Sequence, residues 1–245
     1  PWPFSGIGQC LPSNDRVIGG SDAASGTYVW QVSLQEPYND GYWHFCGGSL
    51  VSANYIVTAA HCYMDPSIVT VYMGSTQKFS GGDRHTITSF TAHPDYNSQR
   101  ISDDYAVILL TEPADLSNSN IGLVALPATE STTVEYSGTG IVTGWGYYQY
   151  GPSVVDRLPD DLQMATLEIL SDADCEDSWR VYYQPECMVC AGGSATAGIC
   201  MGDSGGPFVT QLSGITTLIG AVSWVESNCD TSYPSVFAKI AGARD

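Results

Sequence analysis

Short runs in which apolar and polar residues alternate recur along the chain, broken by Gly, Pro, Asn and Asp. Alternation of period two marks a half-buried strand. Strands are therefore expected at Tyr28–Gln35, Ser49–Thr58, Val69–Met73, His85–Thr91, Ala106–Thr111, Gly140–Trp145, Asp161–Ile169, Pro207–Thr210, Thr216–Ser223 and Ser235–Lys239. A short helix is expected at Ser171–Arg180. A second begins near Lys239 and stops at Asp245, too short to hold alone. Many strands at short spacing with little helical periodicity point to an antiparallel barrel or sandwich, and their number suggests two barrels. The first 16 residues stand apart: they hold three Pro and two Gly, show no periodicity, and end on Arg16 directly before Val17-Ile18-Gly19-Gly20.

Composition narrows the class. A hydrophobic content of 43% with 15 Tyr and 6 Trp is ample for packed cores. No apolar run is long enough to span a membrane. The chain starts at Pro1 with no charged-then-apolar leader, so an exported form is expected to have lost its signal peptide already. The net charge of −18 reflects scarce base, only two Lys and six Arg, as much as acid. It argues against nucleic acid, which needs a cationic face, and fits a solvated acidic surface or cationic substrates. Eight Cys among so few charged residues indicate an oxidising compartment, and their pairing is not fixed by sequence. Cys187-x-x-Cys190 lacks the second half of a zinc site, so no metal is expected there.

Three segments carry chemistry. Ser204 lies in Gly202-Asp203-Ser204-Gly205-Gly206-Pro207, where glycines can hold a hydroxyl in a tight turn with backbone N–H groups aimed at one spot. His61 lies in Thr58-Ala59-Ala60-His61-Cys62, flanked by small residues and a Cys able to pin it. Asp104 opens the apolar run Tyr105–Leu110, where a desolvated carboxylate needs a partner. Each has an ordinary structural reading alone: a turn, a packed His, a strand end. Together they supply a nucleophile, a base and a group to orient the base.

These segments, with Val17–Gly20, His44-Phe45-Cys46-Gly47-Gly48-Ser49-Leu50, Gly144-Trp145-Gly146 and Ser223-Trp224, resemble the chymotrypsin-like serine proteases of the trypsin family. The resemblance runs from Val17 to Lys239 in the same order. It implies an all-β fold of two six-stranded antiparallel Greek-key barrels, residues 17–130 and 131–245, with a short C-terminal helix and residues 1–16 as an activation propeptide. It implies His61, Asp104 and Ser204 as the catalytic triad. Asp104 is preferred to Asp103 because it directly precedes the apolar strand. The N–H groups of Gly202 and Ser204 would form the oxyanion hole. Ser223-Trp224-Val225 would pair with substrate backbone.

By the same resemblance the specificity pocket is lined by Gly198, Ile199, Val225 and Ser235. Gly198 stands where trypsin-like members carry Asp, so a buried Lys or Arg would be unpaired. Val225 and Ser235 replace glycines and should narrow the pocket, with Ile199 adding bulk. Small aliphatic side chains are expected, as in elastases; chymotrypsin-like preference for Leu or aromatics is the alternative. Cleavage after Arg16 would free the Val17 amine to pair with Asp203, and Ser33 and His44 match the residues that hold this Asp in chymotrypsinogen-like precursors. His44 could equally be a packed histidine. Since the pocket should reject Arg, a separate trypsin-like protease is the expected activator.

Family placement implies disulfides Cys46–Cys62, Cys175–Cys190 and Cys200–Cys229. Ala125 stands where the family's linker Cys would be, leaving Cys10–Cys187 as the remaining pair. A family calcium loop would lie in Gly74–Asp83, but Ser75 replaces its Glu, so no calcium and no cofactor is expected. The anticipated partners are polypeptide substrates, the activating protease and protein protease inhibitors, with a monomer as the working state. Secretion is expected; few Lys and Arg suit a digestive lumen, though venom or body fluid is compatible. The rival readings are a non-catalytic homologue acting as a binding protein, which an intact triad disfavours, and storage in complex with other precursors.

Overall fold

A computed structural model describes residues 17–128, 134–147 and 158–244. The first barrel contains β2 (Gln31–Tyr38), β3 (Gly41–Leu50), β4 (Tyr55–Thr58), β5 (Thr70–Met73), β6 (Asp83–Ala92) and β7 (Ala106–Leu110). It closes in the order β2-β3-β4-β7-β6-β5, every pairing antiparallel. Its interior is filled by alternate residues of these strands, including Val32, Leu34, Leu50, Ile56 and Ile108, all shielded from solvent.

The second barrel repeats that plan with β8 (Gly138–Gly144), β9 (Gln163–Ile169), β10 (Met188–Gly192), β11 (Pro207–Leu212), β12 (Ile215–Trp224) and β13 (Pro234–Lys239). These run β9-β10-β13-β12-β11-β8, and the β8–β9 pairing closes the ring. The two-residue strand β1 (Ser21–Asp22) adds to β9. Phe208 and Phe237 stack at 4.1 Å in its core. The expected all-β architecture of two six-stranded barrels is the one observed.

Several boundaries move for local reasons. The run expected as one strand, Ser49–Thr58, is the end of β3, a turn and β4. The Ser52 hydroxyl accepts the N–H groups of Asn54 and Tyr55 and reverses the chain. All of β3 before Ser49, and all of β10, were absent from the expectation. β10 is short and nearly buried throughout, so alternation is invisible in it. The helix α1 spans Asp172–Trp179, with the Ser171 hydroxyl capping Asp174 N–H. The C-terminal residues Ile240–Arg244 form a 3₁₀ turn.

Cys46–Cys62, Cys175–Cys190 and Cys200–Cys229 are disulfide-bonded. Cys187 is buried and has no disulfide partner among the described residues; Cys10, its expected partner, and Arg16 lie outside them. Among those residues no helix is long and apolar enough to cross a membrane.

Candidate active site

The site forms where the barrels meet. After β4 the chain turns into a single 3₁₀ turn, Ala60–Cys62, that carries His61. The disulfide from Cys62 to Cys46 of β3 anchors this turn. Asp104 immediately precedes Tyr105 and β7, which pairs with β4, so one strand pair delivers the imidazole and the carboxylate together. Asp104 is 1% exposed. Its Oδ2 lies 2.7 Å from His61 Nδ1, and its Oδ1 accepts the His61 backbone N–H at 2.8 Å. The Ser223 hydroxyl donates to Oδ2 at 2.6 Å. Three donors satisfy the buried carboxylate and fix the ring. With the carboxylate ionised, Nδ1 carries the proton and Nε2 is left as a base. Asp103 makes no such contact. The missed contribution is the Ser223 hydroxyl, which sequence reasoning assigned only to substrate backbone.

The Ser204 loop is pinned to both barrels. Gly47 of β3 donates its N–H to Ser204 O at 2.7 Å, and Gly205 N–H reaches Val222 O at 2.7 Å. Gly205 has φ +74°, and a Cβ there would stand 2.1 Å from Thr58 Oγ1 and 3.0 Å from Ala59 N. Only a glycine lets the nucleophile loop press against the turn that leads into His61. Among the described residues, the N–H groups of Gly202 and Ser204 have no protein acceptor. They are the donors an oxyanion would require.

Asp203 is fully buried. Its carboxylate accepts Gly146 N–H at 2.8 Å and Cys200 N–H at 3.0 Å. Glycine at 146 is what admits it, since a Cβ there would lie 2.4 Å from Asp203 Cγ. Val17 is likewise fully buried, within the second barrel's core, and Gly198 donates its N–H to Ile18 O at 3.0 Å. Ser33 Oγ and His44 Nδ1 are 2.7 Å apart, but His44 Nε2 lies 2.9 Å from Gly202 O rather than on the Asp203 carboxylate. The pair thus orients the peptide carbonyl behind the oxyanion donors.

Burial sets the charge states. It pushes the Asp203 carboxyl up to about 6, against the pull of its two amide donors. It pushes His44 down to about 4, so this ring stays neutral. While Val17 remains amide-linked to Arg16, Asp203 favours folding in its protonated form. That stability is full below pH 3.8 and is lost as pH rises through 6, amounting to about 3 kcal/mol. His44 acts oppositely: its contribution is present above 6.5 and lost as pH falls through 4. Comparison with Asp203→Asn in the uncut chain isolates the first effect. Between pH 4 and pH 7 the parent is expected to lose about 2 kcal/mol relative to the variant in urea titrations. A gap independent of pH would contradict this.

The pocket residues divide. A Cβ on Gly198 would lie 3.0 Å from Thr231 Cγ2 and 3.5 Å from Ser235 Oγ, so these two bound the space at its base. Thr231 was not anticipated; nothing local in the sequence marks it. Ile199 is 1% exposed and packs with the second core, its N–H 3.4 Å from Ser235 Oγ. Val225 is half-buried at the end of the Ser223–Val225 segment. As for metals, Cys46, His61 and Cys62 bring donor atoms within 4.8 Å of one another, but the disulfide takes both sulfurs.

The sequence profile of the trypsin family matches residues 17–245. Trypsin-1 of the crayfish Astacus astacus is 33% identical over 234 residues, covering 92% of this chain and 95% of its own. Trypsin delta and trypsin gamma of Drosophila melanogaster are each 35% identical over 239 residues, covering 96% of this chain and 88% of theirs.

Proposed function

The chain belongs to the trypsin family of serine endopeptidases, and from that premise we propose that it is the secreted precursor of an elastase-like member, activated by cleavage of Arg16–Val17. The observation that carries the catalytic reading is the three-donor hold on Asp104, which orients His61 beside the pinned Ser204 loop. Ser204 Oγ attacks the scissile carbonyl as His61 Nε2 takes its proton. The oxyanion gathers the N–H groups of Gly202 and Ser204. His61 then returns the proton to the leaving amine, and water repeats the sequence on the acyl-enzyme. Residues 1–16 act as the activation segment. The freed Val17 amine supplies the cation that a buried Asp203 otherwise lacks, and Cys10–Cys187 tethers the cut segment.

Cleavage after small aliphatic residues is supported by the neutral pocket base at Gly198 and by Thr231, Ser235 and Val225 around it. A substrate cation would have no carboxylate to meet there, which makes a separate Arg-directed activator necessary. The Leu or aromatic alternative rests on the room that Gly198 leaves at the pocket base. A panel of tetrapeptide anilides on the cut enzyme separates the two. Fastest hydrolysis after Ala or Val is expected, with Arg and Lys at least about 100-fold slower, the penalty of burying an unpaired charge. Fastest hydrolysis after Phe or Tyr would overturn the small-pocket reading.

A further inference from the structure

The described surface is nearly stripped of cations, and those that remain are not equivalent. Lys78 and Lys239 are both buried. The Arg84 guanidinium lies 3.4 Å over the Tyr42 ring and donates to Gln35 and Thr70, while its backbone is tied into β6. Arg100 and Arg180 are exposed. Arg180 is clamped on both sides. The preceding Trp179 donates to Pro234 O at 3.1 Å and packs edge-on against Trp224, and Tyr183, three residues on, is buried with its hydroxyl on Asp172, although Val181 and Tyr182 between them are exposed and Arg180 itself sits at φ +53°.

Arg100 has no such clamps. Residues 97–100 are all exposed. Short-range bonds close the loop: Asn97 N–H to Ser102 O at 3.1 Å, and Arg100 N–H to Asn97 Oδ1 at 3.1 Å. The next residue, Ile101, is β-branched yet sits at φ +51°, and Asp103 sits at +52°. Tyr96 and the buried Ser102 fix the ends of this loop, but its tip is closed by short-range bonds and carries a disfavoured backbone, so the tip opens readily. Exposed loops of this kind are where proteases cut folded chains.

We propose that Arg100–Ile101 is a second processing site for the Arg-directed protease that cuts Arg16–Val17, and that the second cut switches the enzyme off. This rests on the activation reading given above. Hydrolysis adds one water, leaving a carboxylate on Arg100 and an ammonium on Ile101. Asp104 then stands fourth in a free chain end. None of the three disulfides spans the cut, because Cys46–Cys62 lies before it and the other two lie after it. The pieces are then held by non-covalent contacts alone, the pairing of β7 with β4 and β6, β1 on β9 and Gly47 N–H on Ser204 O among them. The backbone that aims the Asp104 carboxylate at His61 loses its anchor, and with it the orientation of the base. One activator would therefore both start and end activity, the accessible order being set by how fast each loop opens.

The test incubates the purified full chain with a low ratio of trypsin. New termini are read by intact mass and N-terminal sequencing, and activity is read on a small-aliphatic anilide that trypsin does not cleave. Activity is expected to rise as the Val17 terminus appears. It should then fall about 100-fold or more as the Ile101 terminus appears, the loss a misplaced orienting group produces. Arg100→Gln should rise equally and hold its plateau. Absence of the Ile101 terminus after Val17 is fully exposed, a Val181 terminus forming first, or decay of Arg100→Gln at the parent's rate would each overturn the proposal. A Val17 terminus without any rise would instead overturn the activation reading, and the mass data would still decide whether Arg100–Ile101 is cut.

Discussion

Asp104→Asn is expected to lower kcat of the activated enzyme about 10⁴-fold while KM changes little, the magnitude associated with the same change in this catalytic architecture. The geometry states why. Asp104 Oδ2 receives both His61 Nδ1 and the Ser223 hydroxyl, while Oδ1 receives the His61 backbone N–H. An amide in that place turns an NH₂ toward donors or toward His61. The ring then keeps its proton on Nε2, and the base faces Ser204 already occupied. The fold should survive, since shape and most hydrogen bonds persist, so circular dichroism and the melting temperature serve as controls. Steady-state kinetics above and below neutral pH are the readout. A fall of less than 10-fold would show that Asp104 does not set the tautomer.

Cutting Arg16–Val17 is expected to raise kcat/KM by about 10²–10³-fold, the worth of a working oxyanion donor. Asp203 sits between Gly202 and Ser204, whose N–H groups are those donors, so its position is their position. Among the described residues two backbone amides answer its buried carboxylate, and its pKa is pushed up to about 6. A neighbouring ammonium within the same interior would restore full ionisation and lock the loop. Val17 is already buried in the second core, and Asp203 is fully buried as well, so the new amine starts within the interior. The gain should fade at alkaline pH as the amine, held above its free value of about 8, loses its proton. Arg16→Gln should show no gain when treated with the same protease.

Much of this was legible in the sequence because the chemistry is carried by local motifs. Thr58–Cys62, Asp104 with its apolar strand and Gly202–Pro207 each declare their residues within a few positions. The choice of Asp104 over Asp103 followed from its place directly before the strand, and the hydrogen bonds to His61 fall on Asp104. What escaped depends on contacts distant in sequence. Ser223 reaches Asp104 across 119 positions. Thr231 bounds the pocket only because the Cys200–Cys229 bridge folds it beside Gly198. β10 escaped because a strand buried on both sides loses the period-two signal. The sequence leaves His44 either as a partner of Asp203 or as a packed histidine; its ring reaches the Gly202 carbonyl, a contact that no pattern encodes.

The most direct measurement is labelling with a serine-directed fluorophosphonate before and after a single cut at Arg16–Val17, with peptide mapping of the modified residue. The account predicts slow labelling of the uncut chain, fast labelling after the cut, modification at Ser204, and neither label nor hydrolysis in Ser204→Ala. Hydrolysis that persists in Ser204→Ala, or labelling at Ser204 that the cut leaves unchanged, would contradict it.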